Sequence, residues 1–475
     1  MDDKELFDRS IFEETNQLHL YDQLNYLKKN DLQKFRKLLN QVQQLDLRSL
    51  WLKYRNAKAT SQENRKLSPS EVGPLSIVDT SDSSWWRTGL REIARGHVAA
   101  LVLAGGQGTR LGFAGPKGCF RLGLPNNPSI FELQAQKIKK SLALARAAFP
   151  DQEASISIPW YIMVSECTSE ETISFFKEND FFGIDKKDVF FFQQGVLPCL
   201  DISGRVLFES DSSLAWAPNG NGGIYEALLS SGALNDMNRR GILHITAYSV
   251  DNVLVLPVDP VFIGMATTKK LEVATKTVEK IDPAEKVGLL VSSHNHPCVV
   301  EYSEISDEAC KATENVDGHK HLLLRAANIA YHYFSFDFLQ KASLHSSTLP
   351  IHLACKKIPF YDVTSHHYTT PLNPNGYKLE SFIFDLFPSV SVENFGCFQV
   401  PRRTSFSPLK NSSKSPNDNH ETCVNDILSL GKSWILKNGG ILSPSDCTYV
   451  SPECSLQGES LEWIKGKQVS NCKLY

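Results

Sequence analysis

Two cations, Arg110 and Lys117, share a glycine-rich stretch that runs Leu101-Val-Leu-Ala-Gly-Gly-Gln-Gly-Thr-Arg-Leu-Gly-Phe-Ala-Gly-Pro-Lys117. An apolar run ends at Ala104. Gly105, Gly106 and Gly108 follow, where a backbone free of Cβ atoms can approach phosphate oxygens and offer them N–H groups. A Walker loop needs G-x-x-x-x-G-K-[ST], but here Lys117 follows a proline and precedes Gly118. A dinucleotide fingerprint needs G-x-G-x-x-G, but after Gly106-x-Gly108 the third position is Leu111, and Pro116 interrupts the expected helix. A purely structural turn has no use for two clustered cations. The stretch therefore points to a phosphate site of another kind.

Neutralising a triphosphate calls for a hard divalent cation such as Mg²⁺, held by one or two carboxylates plus phosphate oxygens. Asp251 follows the apolar run Ile242–Tyr248, at the carboxyl end of a predicted strand, where open α/β sheets place their ligands. Taken alone, an aspartate there is more often a turn former or helix N-cap. Glu301 alternates with Val300 and Tyr302 on a predicted strand, and Lys410 lies far along the chain in FSPLKN. By themselves these read as a solvated strand face and a surface charge. His294-x-His296, Asp317-x-His319-x-His321 and His366-His367 lack zinc-site spacing, and no G-x-S-x-G elbow surrounds a serine. Cys119 reads as a small buried hydrophobe.

The elements that would position these residues follow from periodicity. Val98–Leu103, Tyr161–Val164 and Val189–Phe192 read as strands, separated by helical patterns over Ser129–Phe149 and Ser169–Asn179. This alternation predicts βαβ units and a mostly parallel, covered sheet. Asp259-Pro260 supplies an N-cap and a first-turn proline for a later helix, and Val287–Ser293 with Val299–Tyr302 reads as a hairpin. Leu18–Leu50 repeats apolar residues at helical spacing, Ala57–Ser84 reads as a linker, and a helix is expected near Thr422–Lys437.

Composition bounds the partners. The chain has 475 residues, 50 basic and 53 acidic, for a net charge of −3, so no whole-protein field favours nucleic acid or an anionic membrane. The apolar run Val98–Ala104 falls far short of the roughly twenty residues that span a bilayer. Eleven cysteines without a C-x-x-C pair read as reduced thiols, and the acidic start MDDKELFDRS is unlike a secretory signal. A cytoplasmic protein is expected.

The glycine loop resembles the signature loop of sugar-nucleotide pyrophosphorylases, and the chain is most similar to the eukaryotic UDP-N-acetylhexosamine pyrophosphorylase family. The resemblance extends to Phe192-Gln-Gln-Gly-Val-Leu-Pro198, Ala217-Pro-Asn-Gly-Asn-Gly-Gly223, Tyr248-Ser-Val-Asp-Asn252, Val299-Val-Glu-Tyr-Ser-Glu-Ile305, Asn328-Ile-Ala330, Pro374-Asn-Gly376 and Phe406-Ser-Pro-Leu-Lys-Asn411, in order across roughly residues 85–440. It implies a three-layer α/β, mixed-sheet nucleotide-diphosphosugar transferase core (residues 96–385), with a helical N-terminal region and linker (1–95) and a C-terminal domain (386–475). It implies that UTP and an N-acetylhexosamine 1-phosphate give UDP-N-acetylglucosamine or UDP-N-acetylgalactosamine and pyrophosphate.

By the same resemblance, Gly105, Gly106, Gly108, Arg110 and Lys117 hold phosphates, Asp251 carries Mg²⁺, and Lys410 reaches the phosphates from the C-terminal side. Gln194 and Gly220 lie at the base, while Asn221, Gly288, Glu301 and Asn328 meet the sugar. The chain departs from its relatives at Asn219, commonly Asp, at Arg325-Ala-Ala327, commonly Asn-Ala-Gly, and at Pro257. The Arg325 and Ala327 changes bear on sugar preference. Two rivals stay open: a UDP-hexose pyrophosphorylase of other specificity, and a silent UDP-sugar-binding homologue. Monomer and homodimer are both compatible with the sequence.

Overall fold

The computed structural model describes residues 8–62, 66–79, 82–152, 156–302, 304–316, 318–442, 448–469 and 473–474. The chain divides into two compact units, each built from three separate stretches.

The smaller unit comprises residues 1–65, 194–224 and 345–385. Its helices α1 (Arg9–Glu14), α2 (Leu18–Asn30), α3 (Leu32–Gln43) and α4 (Leu47–Gln62) follow the predicted apolar spacing. Asp31 caps α3, accepting the N–H groups of Gln33 and Lys34. Leu20, Leu24, Leu27, Leu38 and Val42 pack in one core with Leu200, Val206, Phe208, Leu214 and Leu379. Those partners come from a three-stranded antiparallel sheet, Leu200–Asp201, His352–Lys356 and Gly376–Glu380, from Val206, which bridges to Leu200, and from a neighbouring hairpin. The N-terminal helices are thus half of a core completed by chain more than 150 residues away.

The larger unit holds a ten-stranded mixed sheet. Its strands are β1 (Val72–Pro74), β2 (Val98–Leu103), β3 (Trp160–Val164), β4 (Val189–Gln193), β5 (His244–Ser249), β6 (Val273–Glu279), β7 (Leu289–Ser293), β8 (His296–Val300), β9 (Ala326–Ser335) and β10 (Phe395–Gln399). The order β1-β7-β9-β5-β2-β3-β4 has β5, β2, β3 and β4 parallel, as βαβ units require, and β9, β7 and β1 antiparallel. Every residue of β2 is buried, consistent with a parallel strand covered on both faces. The predicted hairpin is β7–β8, and its two turn residues His294 and Asn295 both take positive φ, as a two-residue turn of matching twist demands.

Helices α5 (Ser84–Ala94), α6 (Ile130–Ala148), α7 (Glu166–Glu178), α8 (Pro260–Lys269) and α9 (His420–Lys437) belong to the same unit. The segment read as a linker is partly structured. It supplies the end of α4 and β1, and Leu67 forms a bridge with Ile305. Short strands of this kind carry too little periodicity to stand out from a polar tract. The described residues after 386 group with the larger unit, where β10 extends the sheet beside β6. No helix among the described residues is long and apolar enough to cross a membrane, and the nine described cysteines are free.

Helices α5 and α8 touch backbone to backbone. A methyl group at Gly264 would lie 1.9 Å from the Trp85 carbonyl oxygen, and one at Gly89 would lie 1.8 Å from that of Pro260. Gly264→Ala is therefore expected to force the helices apart at a cost of about 1–3 kcal/mol. Calorimetry should show a lower Tm, and an unchanged melt would mean that the pair yields without strain.

Candidate active site

The glycine stretch folds into a turn that staples itself shut. Gln107 and Pro116 form a bridge, the Gly108 N–H donates to the Gly115 carbonyl at 2.8 Å, and the Lys117 N–H donates to Gly106 at 3.1 Å. Ser165, the residue that caps α7, donates its hydroxyl to the Gly105 carbonyl at 2.8 Å. The Gly108 amide, one of the groups expected at the phosphates, is therefore hydrogen-bonded within the loop itself. Gly106 has open space where a side chain would begin. Arg110 sits exposed in the short turn Thr109–Leu111, with no ion-pair partner among the described residues.

Strand register explains why Asp251 meets this loop. Parallel neighbours β2 and β5 are aligned so that Leu103 faces Ser249, and their carboxyl ends finish level. The Val250 N–H donates to the Leu103 carbonyl at 3.2 Å, and the Ser249 hydroxyl donates to Asp251 Oδ1 at 2.8 Å. The stapled turn then carries Lys117 back toward the strand ends, leaving its Nζ 3.6 Å from Asp251 Oδ2, with the two side chains only 17% and 15% exposed. A cation and a carboxylate thus face each other at the end of the sheet where such folds bind ligands.

Lys410 is brought to the same place by hydrogen bonds that sequence reading missed. Asn252 donates from Nδ2 to the Ser405 carbonyl and accepts the Ser407 N–H on Oδ1, and the Leu409 N–H donates to the Asp251 carbonyl at 2.8 Å. FSPLKN therefore runs alongside Asp251 within one unit, and Lys410 does not arrive from a separate domain. The Asp418 carbonyl accepts both the Lys410 and Asn411 N–H groups, fixing the backbone beneath an exposed ammonium. Burial pushes the Asp418 carboxyl up, an effect that Lys410 and Arg402 oppose and Asp251 reinforces. Asn252 stands in the quoted Tyr248–Asn252 motif, so a signal existed for it. None existed for Asp418.

Three residues expected at the sugar also converge. The Asn328 N–H donates to the Gly288 carbonyl at 2.9 Å, and a methyl group on Gly288 would come within 3.1 Å of Glu301 Oε1. Glu301 lies just past the end of β8 rather than on it, and its N–H donates to Glu304 Oε2 at 2.9 Å. Asn328 Oδ1 accepts the N–H of Ala330, which takes φ +51°, so the amide is held with Nδ2 as its remaining donor. Arg325 forms an ion pair with Glu314 and donates to the Leu322 carbonyl, which occupies its charge. Ala327 is fully buried, and the Pro257 carbonyl accepts the Thr246 hydroxyl.

The remaining candidates lie in the smaller unit. Gln194 is buried. Gly220 takes φ +84°, and a methyl group there would meet the Ser381 carbonyl oxygen at 2.3 Å, so only glycine fits. Asn221 accepts the Ile383 N–H at 2.9 Å. Asn219 is buried, and its N–H and C=O pair with Gly195 and Ser381, so this departure sits at a packed, structural position.

The histidine groups lie in varied settings. His321 pairs with Glu279, His294 makes a turn, and Asp317 lies outside the described residues. No group of three or more His, Cys, Asp or Glu among the described residues could hold a metal. A lone carboxylate such as Asp251 still fits Mg²⁺, which takes most of its ligands from phosphates and water.

The chain matches the UTP–glucose-1-phosphate uridylyltransferase family over residues 33–459. It is 42% identical over 414 residues to UDP-N-acetylglucosamine pyrophosphorylase of Saccharomyces cerevisiae, covering 87% of this chain and 85% of that protein. The chain belongs to the UDP-N-acetylglucosamine pyrophosphorylase family. Mouse UDP-N-acetylhexosamine pyrophosphorylase-like protein 1 is 39% identical, with 85% of this chain and 82% of that protein covered. Among solved structures, the Trypanosoma brucei UDP-N-acetylglucosamine pyrophosphorylase in complex with an inhibitor is similar at a TM-score of 0.83 and 27% identity, covering 100% of this chain and 98% of that one. The mixed-sheet architecture is thus that of the UDP-sugar pyrophosphorylases.

Proposed function

We propose that this chain transfers a uridylyl group reversibly between UTP and N-acetylglucosamine 1-phosphate, in the cytoplasm. An oxygen of the sugar phosphate attacks the α-phosphorus of UTP, the α–β phosphoanhydride bond breaks, and pyrophosphate leaves with UDP-N-acetylglucosamine as the other product. The sugar phosphate is already a nucleophile, so no covalent protein intermediate is needed. Catalysis is positioning plus charge stabilisation.

The observation that carries this reading is the approach of Lys117 to Asp251 at the level carboxyl ends of β2 and β5, with Lys410 on the adjoining segment. In the proposal, Lys117, Arg110 and Lys410 bind the phosphates and the leaving pyrophosphate, aided by backbone amides at Gly105 and Gly106. Asp251 would hold Mg²⁺, whose contribution is to neutralise phosphate charge. Glu301 accepts hydrogen bonds from sugar hydroxyls, and Asn328 donates its Nδ2 to the sugar beside Gly288. Gln194 and Gly220 read the uracil, and Asn221 contacts the sugar.

The family description names glucose 1-phosphate, whereas the yeast relative is named for N-acetylglucosamine, and this favours testing both. Pyrophosphate release from UTP should be measured with the 1-phosphates of N-acetylglucosamine, N-acetylgalactosamine, glucose and galactose, with and without magnesium. Magnesium-dependent release is expected to be fastest with N-acetylglucosamine 1-phosphate. Faster release with a hexose 1-phosphate would overturn the sugar assignment, and UDP-sugar binding without turnover would favour a silent homologue.

A further inference from the structure

A cavity of about 430 Å³ opens inside the larger unit, beside the segment Val253–Leu256 that follows Asp251. The volume lies in the range of small-molecule sites. Its apolar wall includes Leu133, Val253, Ile427, Leu430 and Trp434. Four charged side chains line it, and three of them are lysines: Lys137, Lys276 and Lys437. The fourth, Asp259, is already hydrogen-bonded and ion-paired to buried Lys276, whose ammonium also lies 4.4 Å from the Tyr331 ring centroid. Lys437 is exposed.

Lys137 is left in an unusual position. Its ammonium donates to the Val253 and Val255 carbonyls at 2.8 Å each, and among the described residues it has no acidic partner. Burial alone pushes it down to about 7. A partly buried cation lacking a counter-charge has given up some of its hydration without compensation, and an anion entering the cavity would relieve that cost.

We propose that this cavity binds a small monocarboxylate with an apolar body, the carboxylate pairing with Lys137 and the body lying against Ile427, Leu430 and Trp434. Charge and shape both select this class. The cavity lining combines Lys137, which lacks an acidic partner among the described residues, with hydrocarbon from Ile427, Leu430 and Trp434, so a neutral lipid would leave Lys137 unpaired and a small hydrophilic anion would leave the apolar lining wet. The pairing also restores the charged form of Lys137, so binding near neutral pH should take up a proton.

Decanoate is a suitable probe, with decanol as its uncharged counterpart, titrated calorimetrically into the full chain in two buffers of different protonation enthalpy. Decanoate is expected to saturate a single site with net proton uptake and to bind at least about tenfold more tightly than decanol. Lys137→Met should weaken decanoate by about tenfold or more while sparing decanol, and Leu430→Trp, which fills the cavity, should weaken both. Equal affinity for decanoate and decanol in the unmodified protein, non-saturable uptake, or decanoate affinity unchanged by both substitutions would overturn the assignment.

Discussion

Lys117→Ala is expected to lower turnover by about 10²–10³-fold, the usual cost of removing one preorganised charge donor. Its ammonium sits 3.6 Å from Asp251, on a loop held by its own backbone bonds, so it meets developing phosphate charge without reorganising. The side chain does not hold the loop together. That task falls to the Gly108–Gly115, Lys117–Gly106 and Ser165–Gly105 bonds, all of which use the backbone of the loop and survive truncation. The variant should therefore melt like the unmodified protein. Pyrophosphate release at the unmodified rate would remove Lys117 from the reaction.

Asp251→Asn should cost a comparable factor, about 10²–10³ in turnover, by a different route. The amide keeps the size of the carboxylate and can still accept the Ser249 hydroxyl on its oxygen, so the end of β5 stays in place. What disappears is the negative charge that would hold magnesium. The magnesium concentration giving half-maximal rate should rise, whereas in Lys117→Ala it should change little. Because the two groups face each other, the double variant should lose less than the product of the single losses. A multiplicative double variant, or Asp251→Asn with unmodified magnesium dependence, would show that the two act apart.

Local features of this fold were readable in advance, and distant pairings were not. The alternation from Val98 to Phe192 announced three parallel strands because each is an uninterrupted or nearly uninterrupted apolar run, and Asp259-Pro260 announced α8 because capping is local. Asp251 could be placed at a strand end by the same reasoning, but its meeting with Lys117 depends on β2 and β5 being neighbours, which periodicity does not encode. Lys410 illustrates the limit. Its position depends on Asn252 reaching Ser405 and Ser407, more than 150 residues ahead. The loss of the Gly108 amide to Gly115 was hidden for a related reason, since a glycine pattern shows where a backbone can turn but not which N–H groups the turn consumes.

The interleaved make-up of the two units has a practical corollary for anyone hoping to dissect this protein. The backbone passes from one unit to the other at 65/66, 193/194, 224/225, 344/345 and 385/386, so no single scission yields either unit as a continuous fragment. A truncated chain lacking residues 1–65 would bare the apolar face formed by Leu200, Val206, Phe208 and Leu379, and should be sticky rather than minimal. Rescuing such a truncation calls for supplying the missing helices in trans.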